Sequence, residues 1–338
     1  MNKIYLYLFS LLVFLIFPMK AQEGHDFFDP MDVFELEWAS DPQVSPDGKT
    51  IVYVRKSHDI MKDKVRSNIW QIKIDGEDHR PLYSELGNSY SPHWSPNQER
   101  LAFLSNNSGS IQIHMYWFKS GETRAITQLQ ESPSSLSWSP DGKWIAFTMN
   151  VKANSNAIVE SREKPEGASW AEKPITVTTT RYQYDGRGIV EPSYRHIFVV
   201  PAEGGSARQL TTGNFNHYGP LSWSSDSESI FFSAYRSDDW ELASNEADIY
   251  KVQVNNKEIV QITNQSGEES SPVVSPNGKL IAFNLRERRP LAYTPNRIAV
   301  MDLEGKNMRV ISGNLDGDAE NIVWAEDNQS IYFTFDER

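Results

Sequence analysis

The sequence predicts an all-β protein, a β-propeller of four-stranded antiparallel blades. Three observations predict it: a turn of the form Ser-Pro-Asp/Asn recurs along the chain, each copy leads into a short β-rich run, and a second strand follows at a nearly constant delay. The clear copies are SPDGKTIVYV from Ser45, SPNQERLAFL from Ser95, SPDGKWIAFT from Ser139 and SPNGKLIAFN from Ser275. Two eroded copies, SSDSESIFFS from Ser224 and AEDNQSIYFT from Ala325, complete the series. Successive steps of 50, 44, 85, 51 and 50 residues have the period of propeller blades. The pattern accounts for six blades of an expected seven or so, the last one incomplete.

Residues 1–21 read as a signal peptide, with Lys3, an apolar stretch from Ile4 to Phe17, and a small residue, Ala21, where cleavage could occur. That stretch is shorter than the ~20 residues a spanning helix needs, which favours cleavage over an uncleaved anchor. The chain therefore reads as exported, to a periplasm or beyond the cell. Residues 22–44 form a lead-in, where Asp29 caps a short helix that has Pro30 at its first position, and Asp41 to Val44 supply the entering strand.

Residues 45–338 form the propeller. In each turn Pro presets φ, Asp or Asn bonds the local backbone, and Gly, where present, takes the last position at no steric cost. Runs such as Ile51 to Val54, Leu101 to Leu104 and Ile145 to Thr148 are apolar on both faces, as expected of strands sandwiched between blades. Hairpin partners follow at Ile69, Ile111, His196, Asp248 and Arg297. Third strands such as Arg124 to Thr127 and Arg208 to Thr211 lead to a strand ending in Trp94, Trp138, Trp223 or Trp324. Recurrence at one structural position predicts that these tryptophans pack between blades. The 85-residue step is one blade carrying a rim insertion around 151–190. Its segment Ile175 to Tyr184 has strong β character before a turn at Asp185 to Gly188. It serves either as a contact for a ligand or neighbouring domain or as a solvated hairpin. The run Ile331 to Phe335 is followed only by Asp336, Glu337 and Arg338, so the expectation is a sequence truncated at its C-terminus.

The chain has no cysteine, which excludes disulfides, thiolate metal sites and cysteine nucleophiles. A net charge of −12 argues against a nucleic-acid partner. No second apolar run is long enough to cross a bilayer, so no membrane partner is expected after signal cleavage. The sequence contains neither a G-x-S-x-G nucleophile elbow nor a phosphate-binding G-x-x-x-x-G-K-[ST] loop. The seven histidines are scattered without metal-ligand spacing, and Asp316 to Glu320 lacks the ligand pattern of a calcium loop. No cofactor, metal or catalytic residue is predicted. The cluster Tyr235 to Glu241 combines charge and aromatics in an inter-strand loop, suited to binding a charged terminus or to rim salt bridges. Arg181, Tyr184, Arg236 and Glu241 are the substrate-facing candidates.

The lead-in Asp29-Pro30-Met31-Asp32 followed by Ser40 to Lys49 resembles the start of exported bacterial serine peptidases of the prolyl oligopeptidase family. The insertion end Thr180 to Gly186, with His196 to Val200, Gly204-Gly205 and Gln209 to Thr211, is similar to the acylaminoacyl-peptidase and dipeptidyl-peptidase-like branch. The resemblance implies a propeller set over a C-terminal α/β-hydrolase domain that carries a Ser-Asp-His triad and is absent from this chain. It implies partners in that domain and in short peptides, which the propeller admits while excluding folded proteins; homo-oligomerisation is left open. The Ser-Pro-Asp-Gly repeat is shared with TolB-like periplasmic propellers, so the rival expectation is a binding or scaffolding module without catalysis.

Overall fold

The computed structural model describes residues 28–153, 163–171, 177, 179–243, 246–289, 293–313 and 315–336. The signal-peptide assignment and much of the insertion lie outside these residues. No described helix is long and apolar enough to cross a membrane.

Five antiparallel sheets of four strands follow one another. The first holds β1 (Glu37–Val44), β2 (Thr50–Asp59), β3 (Lys64–Lys73) and β4 (Arg80–Tyr83), and the second β5 (Ser89–Trp94), β6 (Arg100–Ser105), β7 (Gln112–Trp117) and β8 (Thr123–Ala125). The third runs β9 (Pro133–Trp138) and β10 (Trp144–Lys152), leaves the sheet for a small hairpin of β11 (Gln183–Tyr184) and β12 (Gly188–Ile189), and resumes with β13 (Ser193–Pro201) and β14 (Arg208–Gln209). The fourth comprises β15 (His217–Trp223), β16 (Ser229–Ala234), β17 (Asp248–Gln253) and β18 (Ile259–Gln261). The fifth comprises β19 (Gly267–Val274), β20 (Leu280–Glu287), β21 (Arg297–Asp302) and β22 (Arg309–Val310), and a sixth sheet pairs β23 (Ala319–Trp324) with β24 (Ile331–Phe335). The long step is thus one blade with an insertion: β10 and β13 pair over nine residues, from Trp144 opposite Pro201 to Lys152 opposite Ser193. Among the described residues of the insertion beyond Lys152, strand structure is confined to two residues on each side of the turn. Thr179 to Arg181 joins no cross-strand ladder and runs as irregular chain, while the Tyr182 carbonyl accepts the Val190 N–H at 2.9 Å at the end of the hairpin.

The described residues up to Trp38, together with residues 56–66, make a compact unit of their own. There the short helix is a 3-10 turn, Pro30–Glu35, closed by a capping box in which Asp29 accepts from the Met31 N–H and Asp32 accepts from the Asp29 N–H, both at 2.8 Å. In the same unit, His58 stacks obliquely on Trp38 at 5.3 Å between centroids and receives the edge of Phe34 at 6.2 Å.

The core is divided between neighbouring blades because the second strand of each blade sends alternate side chains to opposite faces. On β10, Ile145 and Phe147 join Ala102, Leu104 and Met115 of the second blade, while Ala146 joins Ile230, Phe232 and Tyr250 of the fourth. On β16, Phe231 faces the other way, into Ile281, Phe283 and Met301 of the fifth blade. Burial of β16 along its whole length follows from this arrangement.

Three polar devices recur at the same place in successive blades. The first is the indole of the tryptophan that ends the first strand, which donates to a backbone carbonyl of the preceding blade. Trp94 reaches the Gln43 carbonyl at 3.1 Å, Trp138 that of His93 at 3.0 Å, Trp223 that of Ser137 at 3.2 Å and Trp324 that of Val273 at 2.9 Å. In the fifth blade, where Val274 replaces tryptophan, its backbone N–H donates to the Ser222 hydroxyl instead. The second device is the turn. The hydroxyls of Ser45, Ser139 and Ser224 donate to Asp47, Asp141 and Asp226 at 2.5–2.6 Å and accept the N–H of the residue five positions on. The fourth turn residue is left-handed in every copy: Gly48, Gln98, Gly142, Ser227, Gly278 and Asn328 have φ of 58–71°. Where that residue is not glycine, its side chain can add a link, as Ser227 does to the Asp141 N–H and Asn328 to the Asn277 N–H. The third device ends the short outer strand. The hydroxyls of Thr127, Thr211, Thr263 and Ser312 accept the N–H groups of Ile113, Ile197, Ile249 and Ile298, replacing one rung of the ladder.

Ser139 is fully buried, and its hydroxyl both accepts from the Trp144 N–H and holds Asp141. We expect Ser139→Ala to lower stability by about 1–2 kcal/mol in urea unfolding, the cost of a buried N–H left without its acceptor. An unchanged midpoint would remove the hydroxyl from the account of the turn.

Candidate functional site

A cavity of ≈ 790 Å³ opens where the third, fourth and fifth blades meet the insertion. Its floor is made by the ends of core strands: Asn150 of β10, Ser193 to Arg195 of β13, Tyr218 of β15, Ser233 of β16 and Glu268 of β19. Its walls come from two excursions. One is the insertion, with Thr179, Arg181, Tyr184 and Arg187; the other is the loop after β16, with Tyr235, Trp240 and Glu241. The size is that of a pocket for a small organic molecule or short peptide.

Of the four residues singled out from the sequence, Arg181, Tyr184 and Glu241 line this cavity and Arg236 is not among the lining residues. Glu241 fastens the two excursions together: its carboxylate accepts from the Thr180 N–H at 3.0 Å and the Thr180 hydroxyl at 2.9 Å. Arg236 turns inward. Its guanidinium donates to His217 Nε2 at 2.6 Å and to the Thr212 carbonyl at 3.4 Å, and lies over the Phe215 ring at 4.9 Å. His217 Nδ1 faces the Arg195 carbonyl at 2.8 Å, so Nδ1 carries the proton and Nε2 accepts from Arg236. Burial first, and the Arg236 charge with it, hold His217 down at about 3. His196, 5.2 Å away between ring centroids, is held at about 4 by the same causes. Both imidazoles are neutral under ordinary conditions, and this cluster braces the wall rather than titrating.

The pairing of the third blade with the fourth creates what the linear sequence hides. His196 and His217 show no useful spacing along the chain, and Arg195 lies at the polar start of a strand that is buried from His196 to Val200. Arg195 reaches the cavity because its strand position places its guanidinium 5.5 Å over the Tyr218 ring. Arg187 gets there as part of the tight turn between β11 and β12, whose N–H returns to the Tyr184 carbonyl at 3.1 Å. Neither was legible without the fold.

Beneath the floor, blades four and five are joined by a short parallel bridge at Ala247 and Glu268. Within blade five, Gly267 permits the close approach of β19 to β20: at φ +130° a Cβ there would stand 2.4 Å from the Arg286 carbonyl oxygen. Strand alternation points Glu268 at the cavity and Glu269 into the protein, where both its carboxylate oxygens are buried without a hydrogen-bond partner. Burial, reinforced by the Asp248 charge, pushes Glu269 up to about 7; burial and Glu246 push Asp248 up to about 6. No group of three or more His, Asp or Glu among the described residues could hold a metal ion.

Repeated four-stranded blades packed face to face define a β-propeller, and the cavity at one end of three blades is its candidate site. Residues 34–171 match the TolB beta propeller domain and residues 159–288 match the N-terminal region of dipeptidyl peptidase IV. The chain is 30% identical over 204 residues to the Bacillus subtilis peptidase YuxL, covering 60% of this chain and 30% of that protein. It is 25% identical over 335 residues to dipeptidyl-peptidase 5 of Porphyromonas gingivalis, covering 94% of this chain and 47% of the relative. Among solved structures, an acylaminoacyl peptidase in complex with Z-Gly-Gly-Phe-chloromethyl ketone superposes with a TM-score of 0.69 at 15% identity, over 91% of this chain and 44% of that one. The chain is thus a β-propeller similar to the N-terminal region of dipeptidyl peptidase IV and to these bacterial peptidases. It spans less than half the length of these curated relatives.

Two outcomes follow from this geometry. In limited proteolysis, Glu241→Ala is expected to speed trypsin cleavage after Arg181 several-fold, because Thr180 loses both its anchors, while Glu241→Gln, which keeps an acceptor, changes it less. Equal rates for wild type and Glu241→Ala would show that the tie does not hold the insertion. For Glu269, the folded-state carboxyl binds its proton more tightly than the unfolded one, so its contribution to stability falls as pH rises from about 4.5 to about 7. Glu269→Gln is therefore expected to gain stability relative to wild type on going from pH 5 to pH 8, by on the order of 2 kcal/mol. A difference that does not change with pH would contradict the raised pKa.

Proposed function

We propose that this chain is the non-catalytic propeller portion of an exported serine peptidase, admitting short peptides to a C-terminal α/β-hydrolase domain of the same full-length protein and excluding folded ones. The observation that carries this reading is the match to dipeptidyl-peptidase 5, which extends over 94% of the chain. The cavity supports it independently. Its volume suits a few residues of extended chain, and the insertion and the loop after β16 narrow the approach, so selection acts by size before chemistry begins. The likeness to a peptidase whose structure holds a Z-Gly-Gly-Phe inhibitor supports peptide-sized ligands for the assembled protein.

A second reading, a periplasmic binding or scaffolding propeller with no catalysis, is favoured by the match of residues 34–171 to the TolB propeller domain. One experiment separates them. The coding sequence past Arg338 is read, and the full product is assayed on di-, tri- and tetrapeptide anilides and on casein. A continuation with G-x-S-x-G, then Asp, then His, and turnover of the short substrates but not casein, is the expected result. A stop within one blade's length, or a product with no peptidase activity, would leave the binding-propeller reading.

A further inference from the structure

The carboxylates of the cavity are partnered and its arginines are not, and this asymmetry specifies a ligand. Each carboxylate on its wall is already engaged. Glu191 pairs with Lys152 at 2.8 Å, Glu246 with Arg288 at 2.7 Å and Glu268 with Arg286 at 3.1 Å, while Glu241 is held by Thr180. Glu246 in addition accepts the Gly267 N–H at 3.0 Å. The arginines that line the same space, Arg181, Arg187 and Arg195, have no carboxylate partner among the described residues. The lining thus holds four carboxylates and three arginines, but three of the carboxylates are neutralised by Lys152, Arg286 and Arg288 from outside it, which leaves the arginines as the cations without an ion-pair partner in a protein whose overall charge is −12.

An acidic protein gains nothing in solubility from clustering unpaired arginines in a recess, and mutual repulsion disfavours the cluster when it is empty. A guanidinium presents a planar fork of donors that matches a carboxylate. Arg195 is also oriented, because its guanidinium lies over the Tyr218 ring. The Tyr218 hydroxyl, raised by burial above the ordinary phenol range, stays protonated as a neutral group beside it. Tyr194 and Trp240, packed edge to face at 5.8 Å, add apolar surface in the same wall.

We propose that this cavity is an anion subsite that binds the carboxylate of a short peptide through Arg195, Arg181 and Arg187, so that the propeller favours peptides ending in a free carboxylate or carrying an acidic side chain. The inference rests on the reading that short peptides are the ligands, and adds the chemical feature by which they are chosen.

The test is isothermal titration of the 338-residue chain with three tripeptides: Ala-Ala-Phe as the free acid, Ala-Ala-Phe amide, and Ala-Glu-Phe amide. The free acid is expected to bind at least tenfold more tightly than its amide, with affinity falling as salt rises. Ala-Glu-Phe amide distinguishes the two sources of carboxylate. Recovery of affinity places an acidic side chain in the subsite; failure to recover it assigns the subsite to the α-carboxylate. Arg181 and Arg187 are exposed, so Arg181→Gln with Arg187→Gln should leave the melting temperature unchanged and weaken free-acid binding about tenfold, and Arg195→Gln should do so on its own. Equal affinity for acid and amide, no binding of any of the three at millimolar concentration, or full affinity in both arginine variants would overturn the proposal. Peptidase activity in the full-length product without a carboxylate preference here would overturn this inference alone. Carboxylate binding by a product lacking peptidase activity would overturn the proposed function and leave the subsite standing.

Discussion

Much of the described propeller depends on one contact made again and again, the indole N–H of a tryptophan donated to a backbone carbonyl of the preceding blade. The carbonyls accepting it belong to residues just before the equivalent tryptophan position: Gln43, His93, Ser137 and Val273. A carbonyl on the first strand of one blade faces the next blade and would be buried without a partner unless that blade supplied a donor. Tryptophan does this while filling space with a large apolar surface, so one side chain settles both the packing and the polar account. Blade spacing follows from its reach. Where Val274 stands at that position, the fifth blade substitutes its own backbone N–H and the Ser222 hydroxyl.

The blade stack in turn produces the cavity. Strand ends of three consecutive blades are brought side by side, and excursions from the third and fourth rise above them. Such an edge collects polar and charged groups because the apolar run of each strand is confined to its middle. The internal pairings then sort these groups. Glu241 and Arg236 were drawn into structural work, one tying the insertion to the loop after β16 and the other bracing two neutral histidines. Arg181, Arg187 and Arg195 were left facing the space.

The comparison of sequence with structure separates along the same line. Turns and central strands were legible because their causes are local: Pro and Asp in fixed order, then a short run of apolar residues. The tryptophans were legible as inter-blade packing, though not as donors, since nothing in the sequence states which carbonyl lies opposite. The left-handed residue in the first strand was invisible. Asp41, Ser91, Ser135, Ser271 and Asn321 all hold φ of 50–55°, yet only the offset of pairing across a β-bulge requires it. The β character read over Ile175 to Tyr184 is realised at Gln183 and Tyr184, which pair with Ile189 and Gly188, and not at Thr179 to Arg181, because propensity alone cannot form a ladder without a partner.

By itself, then, the sequence determined the all-β class, the repeat and the blade that carries the insertion, since each is written in residues a few positions apart. Tertiary structure alone decided which charges meet. Glu241 and Thr180 are 61 residues apart in sequence, and Arg288 and Glu246 are 42 apart. A hydrogen bond or ion pair across such separations exists only where blade packing has already brought the strands together. The arginines left unpaired, and with them the chemistry of the cavity, are therefore a property of the fold.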